Sequence, residues 1–402
     1  MRIVGIIAEY NPFHNGHAYH IQKAKELAHA DAAIVVMSGN YVQRGAPAIM
    51  PKHVRAEIAL KAGSSLVIEL PVRYATGTAE QFAYGAVSLL EKLGCVDAIC
   101  FGSECGDICA LEEAAKILVH EPEEYKELLQ DLLRAGLSFP AARQQALEVL
   151  YPEKDFHYLL SSPNNILGIE YIKALYRLNS KIVPLTLPRK CSEYHATELS
   201  GPYSSASAVR KLIEEHRFSE LESQLPEGNV DLFFQIFEQR FPIYANDFSL
   251  LLKYRLLNET KASLAEYEDV SEELANRIYN QQNQFENFEQ FFQLLKTKEI
   301  TYTRISRALI HIVLNIKKQS TSNIHYARVI GFSLNDATVL STVKKHSSIP
   351  LLTKLTATED LSKMAKQMLN EDIYTANIYE AILADKFDLK PINEYEHPVV
   401  RI

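Results

Sequence analysis

Short apolar runs alternate with amphipathic stretches along the first two hundred residues of the chain. The apolar runs lie at residues 3–8, 32–38, 65–70, 97–102 and 181–187. They are nearly continuous in apolar residues, which is typical of strands that are covered on both faces. The pattern therefore predicts five buried strands of a parallel sheet.

Helical periodicity fills the segments between these runs, at residues 17–29, 51–62, 79–93, 111–119, 141–150 and 165–178. Strands that alternate with helices indicate an α/β fold, a Rossmann-like doubly wound parallel sheet. In such folds ligands bind beyond the carboxyl ends of the strands.

The character of the chain changes after a predicted helix at 205–217. From about 226 to 316 the pattern is almost wholly helical, and residues 326–390 mix short apolar runs with helices. We expect residues 1–225 to form one domain and residues 226–402 to form a second, mostly α-helical C-terminal domain.

The composition is that of a globular protein, with 47% hydrophobic and 23% charged residues. No apolar run approaches the length of a membrane span, and the first residues resemble a strand rather than a signal peptide. We expect a cytoplasmic protein with no membrane partner and no obligate protein partner.

Four of the five cysteines lie within residues 95–109, but their spacing does not match a zinc site, so we assign no metal.

A candidate phosphate site, His14-Asn15-Gly16-His17, directly follows the first predicted strand. The amino terminus of the next helix offers unpaired N–H groups and a partial positive charge. Gly16 lets a nucleotide approach the backbone, and His14 and His17 can donate to phosphate oxygens as pyrophosphate leaves. The alternative is that both histidines only cap the helix or lie on the surface.

A second helix start, at residues 204–210, has the sequence SSASAVR. Ser204, Ser205 and Ser207 offer hydroxyl groups at the positive end of a helix, and Arg210 can bind a β- or γ-phosphate. By itself this is a serine-capped helix. Together with the H-x-G-H motif it resembles the closing motif of the nucleotidyltransferases.

A closer resemblance covers essentially the whole chain. The sequence resembles the bacterial tRNA(Met) cytidine acetate ligases in the stretches GIIAEYNPFHNGH (5–17), SGNYVQRGAPAI (38–49), KHVRAEIAL (52–60), LVIELP (66–71), FGSE (101–104), SPNNILGIEY (162–171), SSASAVR (204–210), TYTRISRALIHIVLNI (301–316) and YARVIGF (326–332). Ser207 and Val209 stand where threonine and isoleucine are expected, and both replacements are conservative.

The resemblance implies an enzyme that condenses ATP and acetate into acetyl-adenylate and acetylates N4 of the wobble cytidine of elongator tRNA(Met). On this resemblance residues 1–225 are expected to be the ATP-binding catalytic domain and residues 226–402 the mostly helical tRNA-binding domain. Mg²⁺ is expected to arrive with the nucleotide. The implied ATP site comprises Ile7, Ala8, Glu9, Tyr10, Asn11, Pro12, Phe13, His14, Asn15, Gly16, His17, Ala18, Tyr19 and His20, with Gly102, Asn165 and Arg189. For Asn165, helix capping is an equally simple role.

The loop after the second strand supplies Asn40, Gln43 and Arg44 as candidates for contacts with acetate or cytidine; a plain surface loop is the alternative.

The net charge of the chain is −8, yet residues 296–318 carry six Lys or Arg residues against one acid. Arg304 and Arg307 share a helix face there, with Tyr302 nearby as a stacking surface, so we predict contacts with tRNA. A helix with one apolar face and a charged outer face is the simpler interpretation.

Two other functions remain open on the sequence. The first is a nucleotidyltransferase that adenylylates a phosphorylated small metabolite. The second is an RNA-binding protein that keeps the fold without catalysis. Dependence of pyrophosphate exchange on acetate distinguishes the ligase from the first, and loss of activity on replacing His14 or His17 distinguishes it from the second.

Overall fold

A computed structural model of the protein describes residues 1–189, 204–297, 300–319, 323–356 and 358–402. Its strands are β1 (Ile3–Ala8), β2 (Ala32–Ser38), β3 (Tyr41–Val42), β4 (Ala46–Pro47), β5 (Leu66–Leu70), β6 (Ala98–Ser103), β7 (Val183–Pro188), β8 (Ala327–Phe332), β9 (Leu351–Leu352) and β10 (Val400–Arg401). The five strands predicted from the sequence are confirmed as β1, β2, β5, β6 and β7.

One mixed sheet organises the chain, in the order β10-β8-β5-β2-β1-β6-β7, with β9 paired to β8. Its strand pairs are parallel except for β5 with β8, which is antiparallel. The predicted α/β class is therefore confirmed, and the sheet is mostly rather than wholly parallel. Strands β8 and β10 come from beyond residue 225, so residues on both sides of the predicted boundary share one hydrogen-bonded layer.

The helices of the first half are α1 (Asn15–Ala28), α2 (Lys52–Lys61), α3 (Val72–Ala75), α4 (Ala79–Lys92), α5 (Ile108–His120), α6 (Glu123–Arg134), α7 (Phe139–Leu150), α8 (Phe156–Ser161) and α9 (Pro163–Arg177). Those of the second half are α10 (Ala206–Glu214), α11 (Phe218–Glu222), α12 (Val230–Ile236), α13 (Ser249–Asn258), α14 (Lys261–Leu264), α15 (Glu272–Gln281), α16 (Phe288–Leu295), α17 (Tyr302–Leu314), α18 (Ala337–His346) and α19 (Lys363–Lys386). Within the described ranges every helix is too short or too polar to span a bilayer.

Successive residues of the central strands enter two different cores. Ile3 of β1 packs with α4, α5 and α9 on one face of the sheet, and Val4 packs with α1, α2 and α10 on the other. This is why the apolar runs are continuous rather than alternating. A third core joins α13, α15, α16, α17 and α19. The cysteines in the described residues, Cys95, Cys100, Cys105 and Cys109, are free.

Arg55 of α2 is fully buried and holds the loops at the carboxyl edge of the sheet. Its guanidinium donates to Glu9 O at 2.6 Å, Ser38 O at 3.1 Å and Met50 O at 3.0 Å, and also to Gly39 O. Burial lowers the pKa of Arg55 to about 10, so it remains charged at neutral pH. One side chain thus satisfies carbonyls in the loops after both β1 and β2.

Replacing Arg55 with methionine leaves four carbonyls without their donor. Each unsatisfied buried carbonyl costs about 1–3 kcal/mol, so the free energy of unfolding is expected to fall by at least about 3 kcal/mol. Urea unfolding followed by circular dichroism measures the change. The matched control is Arg134→Met on α6, whose side chain is 76% exposed. Equal effects of the two replacements would contradict this role for Arg55.

Candidate active site

A cleft of about 650 Å³ opens at the carboxyl edge of the sheet, where β1, β6 and β7 end. The predicted site residues that line it are Ile7, Ala8, Glu9, Tyr10, Asn11, His14, Gly16, His17, Tyr19, His20, Gln43, Arg44, Gly102, Arg189, Ser205, Ser207 and Arg210. The structure thus brings together the segment after β1, the loop after β2, the end of β6 and the start of α10.

His14 and His17 form an interlocked cap at the start of α1. The Gly16 N–H donates to His14 Nδ1 at 3.1 Å, and the His14 N–H donates to His17 Nδ1 at 3.2 Å. The two rings stack with their centroids 3.7 Å apart. Because a backbone N–H can only donate, both Nδ1 atoms must accept, and each neutral ring carries its proton on Nε2. Capping and cleft lining are therefore compatible roles.

Both imidazoles are kept neutral. Burial, followed by the charges of Arg189 and Arg210, lowers the pKa of His14 to about 3. Burial, followed by the neighbouring His14 and His20, also lowers the pKa of His17 well below its usual range. At neutral pH the pair consequently offers two Nε2–H donors without a full positive charge.

Gly16 has a structural role in addition to the predicted one. A Cβ atom at this position would lie 2.9 Å from the His14 ring, closer than side chains pack. The glycine therefore makes room for the histidine stack, and its value for nucleotide approach stays a prediction.

Arg210 and Ser205 position the second helix start. Ser205 Oγ accepts from the Ala208 N–H at 3.1 Å and caps α10. The Arg210 guanidinium donates to Asn11 O at 2.6 Å and to Ser207 Oγ at 3.0 Å. Arg210 thereby ties α10 to the segment after β1, so the amino termini of α1 and α10 face one cleft. Two helix dipoles and an arginine make this end of the cleft suited to phosphate.

Glu9 is the one carboxylate among the described residues that line the cleft. Its Oε1 accepts from the Gln43 N–H at 2.7 Å. Burial raises the pKa of Glu9, while that hydrogen bond and the charges of Arg44, Arg210 and Arg55 act in the opposite direction. Gln43 also donates from Nε2 to Gly77 O at 3.1 Å, which fixes the loop against the segment before α4.

Nine predicted site residues are not among those that line the cleft. They are Pro12, Phe13, Asn15, Ala18, Asn40, Asn165, Ser204, Arg304 and Arg307. Asn15 and Phe13 instead hold the segment after β1 in place. Asn15 Nδ2 donates to Ser223 O at 2.9 Å, and Phe13 packs against Tyr10.

Asn165 and Asn40 are structural. Asn165 is fully buried, and its Oδ1 accepts from the Glu104 and Cys105 N–H groups at 2.9 and 3.1 Å. In return Glu104 accepts from the Asn165 N–H at 2.8 Å, so a carboxylate already occupies the start of α9. Asn40 Oδ1 accepts from the Lys52 N–H at 2.9 Å and caps α2. Neither residue lines the cleft, whereas Asn164, beside Asn165, does. The Asn165 Nδ2 is buried without a hydrogen-bond partner among the described residues, and the contacts of Asn165 and Asn40 with ligands stay predictions.

The structure contradicts the predicted contact of Arg307 with tRNA. Arg307 is buried, and its guanidinium pairs with both carboxylate oxygens of Asp269 at 2.8 Å. This internal ion pair replaces the predicted contact with tRNA phosphate. Arg304 is half-buried and donates to Asp269 O at 3.2 Å. Its contact with tRNA stays a prediction, and Lys298 of the basic segment lies outside the described residues.

Residues from distant parts of the chain also reach the cleft. Ile243, Tyr244 and Ala245 line it from the segment before α13, and no local motif marks them, so they were not predicted. Tyr302 and Ser306 line it from α17. Tyr302 was predicted as a stacking surface for tRNA, a role that stays a prediction, whereas Ser306 was not predicted.

One group of potential metal ligands occurs in the described chain. Ligand atoms of His53, Glu394 and His397 lie within 4.8 Å of one another. Glu394 is already paired with Lys52 at 2.6 Å and with Arg328, so the group belongs to a buried ion network. None of its three residues lines the cleft.

The tautomers of His14 and His17 can be measured by ¹⁵N NMR of histidine-labelled protein, with each ring assigned from its alanine variant. We expect both rings to carry the proton on Nε2 and His14 to remain neutral down to about pH 4, because burial penalises the charged form. A proton on Nδ1 of either ring, or titration of His14 near pH 6.5, would show that this cap does not form.

Comparison with known proteins is consistent with this geometry. A protein of Thermoanaerobacter sp. (strain X514) called tRNA(Met) cytidine acetate ligase is 43% identical over the full length of both chains. The protein of the same name from Acetivibrio thermocellus is 40% identical over 94% of each chain. Crystal structures of Thermotoga maritima TmcAL, 32% identical and covering both chains fully, superpose with a TM-score of 0.93 for the apo form and 0.89 for the form bound with alpha-thio ATP. The family model described as HIGH Nucleotidyl Transferase matches residues 1–393, and the chain belongs to this family.

Proposed function

We propose that the protein is an ATP-dependent ligase that activates acetate as acetyl-adenylate and acetylates N4 of the wobble cytidine of elongator tRNA(Met). The observation that carries this proposal is the convergence of two helix amino termini, the Nε2–H groups of His14 and His17, and Arg210 on one cleft. Full-length similarity to proteins named tRNA(Met) cytidine acetate ligase supports the choice of substrates.

In the first step an acetate oxygen attacks the α-phosphorus of ATP, and the bond to the β-phosphate oxygen breaks. Negative charge grows on the leaving pyrophosphate. His14, His17 and Arg210 hold fixed donors at the end of the cleft where that charge develops, and their orientation is set before the nucleotide arrives. Glu9 is the sole carboxylate in the described lining, which is consistent with Mg²⁺ being carried by the nucleotide phosphates.

Arg44 is the candidate for holding acetate. It lines the cleft, its side chain is exposed, and its charge acts on Glu9. A guanidinium matches a carboxylate in shape and charge. Gln43 is anchored to Gly77 and supports the same loop.

The proposal is tested with purified protein, ATP, labelled acetate and total bacterial tRNA. We expect label in elongator tRNA(Met) and none in reactions without ATP. Pyrophosphate exchange into ATP that requires a phosphomonoester instead of acetate would support the alternative, adenylylation of a small metabolite.

Replacing His14 or His17 with alanine is expected to lower acetate-dependent pyrophosphate exchange by about 10²–10³-fold, the effect of removing one preorganised donor to developing charge. His157→Ala on α8, whose side chain is 75% exposed, is the matched control. Wild-type exchange in both cleft variants would mean that the histidines serve only as the cap of α1.

A further inference from the structure

A second cavity, of about 500 Å³, joins the ATP cleft on its helical side. The two share four lining residues, Ala46, Ala245, Tyr302 and Ser306. The remaining wall of the second cavity comes from Asn246, from Asn287 before α16 and from α16 itself. A molecule in this cavity therefore lies beside the contents of the cleft without occupying the phosphate end.

The wall of the second cavity is fixed in place by its own hydrogen bonds. Asn287 Oδ1 accepts from the Gln290 N–H at 2.9 Å and caps α16. Asn246 Oδ1 accepts from the Glu289 N–H at 3.0 Å, and its Nδ2 donates to the Glu289 carboxylate at 3.2 Å. The cavity is consequently preformed rather than a gap between mobile side chains.

The opposite wall is equally constrained. Ser306 Oγ of α17 donates to Gly45 O at 2.7 Å, and a Cβ at Gly45 would collide with the backbone of Arg307 at 2.3 Å. The loop that carries Arg44 is thus in direct contact with α17. The Arg307–Asp269 ion pair holds the same turn of the helix from the other side.

The chemistry of this wall suits an uncharged planar ring. Tyr302 is 57% exposed, and its ring rests on the buried Phe292 with the centroids 4.2 Å apart. Gln293 is exposed, and its side-chain amide makes no hydrogen bond to the part of the chain that the structure describes. No lysine, arginine or histidine occurs among the described lining residues, so the cavity is unsuited to phosphate.

We propose that the second cavity receives the nucleobase that is acetylated, stacked on Tyr302, with the Gln293 amide directed at its hydrogen-bonding edge. This inference rests on the proposed function. Aromatic stacking together with an amide is the usual way in which proteins hold an unstacked RNA base. A base at the junction of the two cavities presents its exocyclic amine to the cleft.

The second step then balances without a further reactant. The amine nitrogen attacks the acetyl carbonyl carbon of the adenylate, and the bond between that carbon and the phosphate oxygen breaks. AMP leaves with the electron pair, and the proton from nitrogen passes to solvent. Tyr302 acts here as a binding residue that positions the base, and the phosphate end of the cleft is not involved in this contact.

The test compares two rates for each variant of the full-length protein: acetate-dependent pyrophosphate exchange, which needs no tRNA, and transfer of acetyl to tRNA. We expect Tyr302→Ala to lower kcat/KM for tRNA by about 5- to 150-fold relative to its own exchange rate, the range for one lost base–aromatic stack. Tyr302→Phe keeps the ring and should stay close to wild type. The matched control is Tyr254→Ala on α13, which is 64% exposed and lines neither cavity.

A fall of exchange and transfer by the same factor in Tyr302→Ala would overturn the base site, as would wild-type transfer in that variant. Equal loss in Tyr302→Phe and Tyr302→Ala would also overturn it, because stacking would then not be the role of the ring. Failure of the proposed function has a different signature, since the wild-type protein itself would then show neither acetate-dependent exchange nor transfer.

Discussion

The buried guanidinium of Arg55 is the constraint on which the cleft depends. A parallel sheet leaves its strand ends and the following loops with carbonyls that no neighbouring strand satisfies. Arg55 donates hydrogen bonds to such carbonyls in the segment after β1 and at the end of β2. The segment after β1 carries His14 and His17, and the loop that follows β2 carries Arg44. One cation therefore fixes His14 and His17 relative to Arg44, the residue that we propose for acetate.

A network of buried ion pairs links the sheet to the carboxyl-terminal part of the chain. Lys52 of α2 and Arg328 of β8 both contact Glu69 of β5 and Glu394 near the carboxyl terminus. Breaking one partner of such a network leaves an uncompensated buried charge, which is strongly destabilising. The network thus links β8 and the segment around Glu394 to β5 and α2. This explains how a strand from beyond residue 225 is held at the edge of the sheet that carries the ATP cleft.

The sheet and the phosphate end of the site could be predicted because their signals are local. Strands covered on both faces show continuous apolar runs, and the H-x-G-H motif lies within four residues at a strand–helix junction. Helix α6 was not predicted, although Pro122, Glu123 and Glu124 mark its start and its apolar residues recur at helical spacing (Tyr125, Leu128, Leu129, Leu132 and Leu133). The division at residue 225 stays a prediction.

Polar residues whose partners are distant in sequence were the least predictable. Arg307 and Asp269 are 38 positions apart, and Asn165 and Glu104 are 61 apart. The charge on a helix does not reveal whether the side chain meets solvent or a buried acid, so Arg307 was assigned to tRNA. For the same reason the role of Arg55 could not be predicted. Its four hydrogen-bond acceptors are backbone carbonyls, which every residue type carries. Tyr302 of α17 was recognisable from the sequence as a stacking surface, but its position beside the cleft was not.

In the proposed reaction the cleft joins acetate to the α-phosphate of ATP. This step can be followed with acetate labelled with ¹⁸O in both oxygens and mass spectrometry of the nucleotide released on acetylation of tRNA. Attack of acetate on the α-phosphorus followed by cleavage of the carbonyl carbon–oxygen bond predicts AMP that carries one ¹⁸O atom. Unlabelled AMP, or ADP as the nucleotide product, would contradict it.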